Sequence, residues 1–255
     1  MEAHVYLLIF GATFAAGFLN ATVGGGGLLQ VPVLMLAFPA APLPAILGTA
    51  KMAGVPGLGA AVTQYVRKLQ LAWPLIIRVS LAEIPFAILG ARVAVVLDPA
   101  LARPIVLFML IAMTLHTIFQ PRFGEHASGR PLRLTGPVPW IIGIVVGFYE
   151  GFFGSGSGVV LIVVFVSVCG LDLVGASIAS ATVTLVGAFA ALLTFLIAGS
   201  VILPLALYMA LFNIAGSLVG ARVVTLRGNV VLKRLLGITM LAIIVKLLWD
   251  TLSAR

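Results

Sequence analysis

The feature that most constrains this chain is a pair of glycine-rich breaks, each followed by an apolar run too short to cross a bilayer. Gly24-Gly25-Gly26-Gly27 precedes Leu28–Phe38, and Gly154-Ser155-Gly156-Ser157-Gly158 precedes Val159–Cys169. Each run has eleven residues, about 16 Å as a helix and about half the hydrocarbon core. The breaks are 130 positions apart. So are Gly17-Phe18-Leu19-Asn20 and Gly147-Phe148-Tyr149-Glu150, and the triplets Gly90-Ala91-Arg92 and Gly220-Ala221-Arg222. Three ungapped matches at one offset indicate an internal duplication. The halves are residues 1–121 and 137–255, joined by a polar linker over 122–136.

The same order of apolar segments recurs in each half. The first holds His4–Val23, Leu28–Phe38, Leu43–Val66, Leu71–Leu97 and Leu101–Phe119. The second holds Val138–Phe153, Val159–Cys169, Leu173–Ala198, Val201–Leu226 and Val231–Leu248. The last three of each set are long enough to span a membrane. The first two form a broken, re-entrant hairpin: a helix enters, stops at the glycines, and a half-helix returns. Composition agrees, because 62% of the 255 residues are hydrophobic and only 9% are charged. Soluble domains carry ~25% charged residues. The expected fold class is an all-α polytopic membrane protein of two repeats.

Charge orients the repeats. The net +8 is read as cytoplasmic anchoring beside anionic lipid and not as nucleic-acid binding. With the linker (Arg122, Arg130, Arg133) in the cytoplasm, Arg67-Lys68 and Arg227, Lys233 and Arg234 share that side only if the second repeat is inverted relative to the first. Three crossings plus a hairpin is an odd count, so the inversion follows. Trp73 and Trp140 fall near cytoplasmic clusters, where aromatic belts form. Glu2 and His4 precede the first run without Lys or Arg, which argues against a cleavable signal. Single Cys169 excludes an intrachain disulfide. No cofactor motif is found, nor a His/Cys/carboxylate cluster with metal spacing.

Inverted repeats with broken helices are a transporter architecture. Non-helical backbone at membrane depth must be buried or line a cavity, and the starts of the half-helices offer free N–H groups to an anion. The expected substrate-binding residues are therefore Gly24, Gly25, Gly26, Gly27, Thr49 and Lys51 with Gly154, Ser155, Gly156, Ser157 and Gly158. Ionisable groups inside a bilayer mark function by default. Glu83 and Glu150 are the candidate proton carriers, and their repeat mates are the amides Asn213 and Asn20. A competing reading makes Lys51 and one of these carboxylates a structural ion pair tying helices together. His116 is expected at a helix contact.

Gly17 to Pro32, with Thr49-Ala50-Lys51, Gly147 to Gly154 and the two Gly-Ala-Arg triplets, resembles the sulfite exporter TauE/SafE family. The likeness covers nearly the whole chain. It implies a bacterial inner-membrane, multi-pass transporter of sulfur-containing anions such as sulfite, sulfoacetate or sulfonates. This chain departs from the pattern at Val163-Val164, where a proline is expected, and at Ala181, where Lys51 has no counterpart. The expectation is secondary active transport of a small anion by alternating access. Its partners are the lipid bilayer and that anion, with no nucleic acid, and a homo-oligomer is compatible. Alternatives are a proton-coupled cation transporter, an intramembrane enzyme, disfavoured because nucleophile and metal constellations are missing, and a membrane scaffold.

Overall fold

The structure, a computed structural model, describes residues 3–98 and 136–226. The expected segments Leu101–Phe119 and Val231–Leu248, His116, the linker's basic residues, and Arg227, Lys233 and Arg234 lie outside them. The described chain is helical: α1 (Ala3–Thr22), α2 (Gly27–Ala37), α3 (Leu43–Lys68), α4 (Trp73–Val96), α5 (Val138–Phe152), α6 (Ser157–Ser167), α7 (Leu173–Ile197) and α8 (Leu203–Leu226). Five of these, α1, α3, α4, α7 and α8, are long and apolar enough to cross a membrane. The three short helices are α2, α5 and α6.

Each break begins with the same local motif. The Gly24 N–H donates to Leu19 O (2.9 Å), and the Gly154 N–H donates to Tyr149 O (3.0 Å). Both glycines have left-handed φ, 72° and 76°. This is how a helix stops at glycine: the reversed φ costs glycine no Cβ clash and satisfies carbonyls at the helix end. The half-helices then start one turn later. Leu29 N–H to Gly26 O and Val159 N–H to Gly156 O are matched bonds at the same offset. The last residue of each break (Gly27, and Ser157 with Gly158) belongs to the first turn of its half-helix, one or two residues before the sequence places the start.

Two apolar cores hold the helices. One gathers Ala21 and Val23, the C-terminal part of α3 (Leu58 to Tyr65), the start of α4 (Leu75, Val79), α6, the start of α7 and Val224. The other gathers Ile9, α2 (Val31, Leu34), the start of α3 (Leu43 to Ala53), the ends of α4, α5 and α7, and the start of α8 (Leu205, Met209). Outward faces are apolar too. Leu81 and its repeat mate Leu211 are 55% and 65% exposed, as expected of side chains that meet lipid. Trp73 and Trp140 are half-exposed near the starts of α4 and α5, which pack together.

Close backbone approach at glycines sets two of the crossings. In α5, a Cβ on Gly147 would lie 2.8 Å from Glu83 Cα of α4. In α1, a Cβ on Gly17 would lie 3.0 Å from Asn213 Cα of α8. These contacts are repeat mates of one another. Small residues let helices in lipid approach until dispersion contacts are dense.

Candidate functional site

The two glycine turns meet in the interior, one against the other. A Cβ on Gly24 would lie 2.5 Å from Gly158 Cα, and one on Gly27 would lie 2.9 Å from Ser155 Cα. At Gly24, Gly27 and Gly158 a side chain would not fit, because the two backbones are in contact. Beside the turns lies a cavity of about 50 Å³. Asn20, Gly24, Gly27, Lys51, Glu150, Gly154 and Ser155 are among its lining residues. The larger apolar groove, about 700 Å³ between α4 and α7, touches none of the charged groups at the turns.

Lys51 comes from the middle of α3, where a cation needs a partner to remain buried. It finds Glu150, near the end of α5. Lys51 Nζ donates to the Glu150 carbonyl at 2.7 Å and to Glu150 Oε1 at 2.8 Å. The two side chains are 7% and 3% exposed. Ser157, the first residue of α6, donates its hydroxyl to Glu150 Oε2 and bonds Gly154 O at 3.0 Å. A lysine from the first half is thus clamped to the break of the second. At the first break Asn20 stands where Glu150 does: its Oδ1 accepts the Gly26 N–H at 2.9 Å, which ties the turn to the end of α1.

The remaining expected residues divide by environment. Glu83 is fully buried in α4, and neither carboxylate oxygen has a hydrogen-bond partner among the described residues. Its carboxylate lies against Gly187, where a Cβ would collide with it. Asn213, its mate, lies in the same way against Gly57, which is the mate of Gly187. Asn213 is satisfied, donating from Nδ2 to Thr13 O and accepting from the Ser217 hydroxyl, both at 3.4 Å. Ala87 stands where Ser217 does and offers Glu83 no such bond. Thr49 faces a different neighbour. Its hydroxyl donates to Ala45 O (2.6 Å) and accepts the Ile202 N–H (3.0 Å) at the start of α8. Gly158 accepts the Ser180 hydroxyl at 2.8 Å. Gly156, with φ of 84°, precedes α6. Gly25 and Gly26 complete the first turn.

Two polar residues at the cavity, Gln30 and Thr184, escape the sequence reading, and Ser155, expected at the site, lines the cavity with them. Gln30 Nε2, Ser155 Oγ and Thr184 Oγ1 are buried without a hydrogen-bond partner among the described residues. A lone glutamine in an eleven-residue apolar helix was the available signal for Gln30. Thr184 had none, because α7 also carries Ser177, Ser180, Thr182 and Thr194. No group of three or more metal-ligating side chains occurs among the described residues.

Comparison with known proteins agrees with a transporter. A family model described as Sulfite exporter TauE/SafE matches residues 9–247. A probable membrane transporter protein, ORF9, from Sinorhizobium sp is 30% identical over 97% of this chain and 94% of its own length. One from Haemophilus influenzae is 26% identical over 95% of this chain and 94% of its own length. The probable membrane transporter protein YfcA of Escherichia coli K12 is 29% identical over 96% of this chain and 90% of its own length. No solved structure matches.

Proposed function

The chain belongs to the sulfite exporter TauE/SafE family, and from that membership and the geometry at the turns we propose a secondary active transporter that moves a small anion across the bacterial inner membrane by alternating access. The observation that carries the reading is the meeting of two half-helix starts around Lys51, in the interior between two apolar cores. Each start carries the partial positive charge of a helix N-terminus. The anion is a sulfur oxyanion or an organosulfonate. A cavity of about 50 Å³ favours the smaller of these.

The alternating movement rests on two inverted repeats, with the linker cytoplasmic. What supports inversion is the sense in which the helices run between the cores. α3 passes from the core containing Leu43 to the one containing Tyr65, and its mate α7 passes the other way, from Leu173 to Phe195. α4 and α8 are opposed in the same fashion. One core parting while the other stays shut would expose the site to alternate sides.

Coupling to protons is assigned to Glu150 and Glu83. The Glu150 carboxylate holds the place at Lys51 that a substrate anion needs. A proton on Glu150 frees Lys51, so proton and anion enter together. The second reading, proton-coupled cation transport, draws on the unpaired carboxyl of Glu83. Flux in proteoliposomes separates the two. Sulfite should move with protons, and Lys51→Met combined with Glu150→Gln should abolish that flux while the protein stays folded. Sulfite flux unchanged in the double variant removes Lys51 from the mechanism, and flux of monovalent cations alone replaces the anion reading.

A further inference from the structure

The geometry points to Gln30, Ser155 and Thr184 as the neutral hydrogen-bond donors that hold the transported oxyanion, an inference that rests on the anion reading above and assigns its binding contacts. All three line the cavity beside Lys51. They are 3%, 1% and 8% exposed, and the atoms left without a partner are Gln30 Nε2, Ser155 Oγ and Thr184 Oγ1. Buried polar atoms nearly always find partners, and an orphan costs about what a hydrogen bond is worth. Three orphans around one cavity therefore describe a site completed by something other than protein.

The chemistry of that guest follows from what is orphaned. An amide nitrogen donates only, and hydroxyls can donate. The carboxylate among the cavity's lining residues, Glu150, is already paired with Lys51 and bonded by Ser157, so a cation would meet no unpaired negative charge there. Ser155 Oγ lies over Gly27, the first residue of α2, so donor and helix start address the same point. A guest with several acceptor oxygens on one small centre satisfies all of these together.

The seat is also off-centre. The repeat mates of Gln30, Ser155 and Thr184 are Val160, Gly25 and Gly54. Every pair keeps its polar group in one member only, Gln30 from the first half and the other two from the second. The pseudo-symmetric frame thus offers one seat and not two, built jointly by both halves.

The test is calorimetric titration of the purified full chain in nanodiscs with inorganic sulfite, beside thermal unfolding of each variant. Thr184→Val and Ser155→Ala should each weaken sulfite binding about five- to tenfold with an unchanged or higher unfolding temperature, since no protein bond is lost. Thr184→Ser should bind as the unaltered protein does, and Gln30→Glu, which places a second anion in the seat, should not bind. Unaltered protein that binds sulfite together with Thr184→Val and Ser155→Ala variants that bind it equally well overturns this assignment alone. A lowered unfolding temperature with unchanged binding overturns it too, by making the groups structural. Unaltered protein that ignores sulfite, sulfate and methanesulfonate overturns the anion reading itself.

Discussion

Lys51 and Glu150 show why a buried charge is legible in a sequence while its partner is not. A lysine eight residues into an apolar helix and a glutamate at a glycine break stand out by type alone. Whether Lys51 would meet Glu83 or Glu150 depended on how the halves pack, which no local pattern encodes. The outcome gives Glu150 three donated hydrogen bonds and leaves Glu83 with none among the described residues. Breaking a buried pair from one side strands the other charge and costs about 3–5 kcal/mol, whereas neutralising both is close to neutral. Lys51→Met alone should therefore lower the detergent unfolding temperature markedly, and the double variant Lys51→Met with Glu150→Gln should recover most of the loss. Additive effects in that cycle would show that the pair is not coupled in the folded protein. Gln30 and Thr184 mark the opposite limit. Uncharged polar residues occur throughout these helices, and only the shape of the cavity distinguishes the orphans from those bonded to a carbonyl one turn back, as Thr182 is to Ile178.

At the scale of the element, the glycines fall into kinds that sequence alone does not separate. The breaks at Gly24 and Gly154 were readable because each precedes a segment too short to span, and the structure gives both the same left-handed turn. Mid-helix glycines such as Gly147 and Gly11 look alike in the sequence. Gly147 lies on the backbone of Glu83, while a Cβ at Gly11 meets nothing within 4 Å. Their substitutions should have opposite signs. Gly11→Ala gains helix propensity, up to about 1 kcal/mol, and should raise the unfolding temperature. Gly147→Ala must push α5 off α4 and should lower it. Gly24→Ala should be worse, since it adds left-handed strain of about 1–2 kcal/mol to a collision with Gly158. Thermal melts of the three variants in one detergent rank them, and a Gly24→Ala protein as stable as the Gly11→Ala protein would show that the turns do not touch.

For the whole molecule, the duplication was visible as an offset, and its consequence is visible as exchange. α1 packs on α8 and α4 on α5, so each half completes its crossings with the other. The site likewise draws Lys51 from one half and Glu150 from the other. The opposed run of the mates α3 and α7 between the two cores supports inverted repeats, and the side that each loop reaches tests it. The loop after α3 (residues 69–72) and the loop after α7 (residues 198–202) are repeat mates, and Gln70 and Ala198 are exposed in them. A parallel arrangement puts both on one face of the membrane, and an inverted one puts them on opposite faces. The native Cys169 is buried and should give little background. In intact spheroplasts a membrane-impermeant maleimide should label Ala198→Cys at once and Gln70→Cys only after permeabilisation, the outcome expected if Arg67 and Lys68 follow the positive-inside rule. Equal labelling of the two positions before permeabilisation would make the repeats parallel. Then the helix starts could not be exposed to alternate sides by one symmetric movement, and the mechanism would need a different moving part.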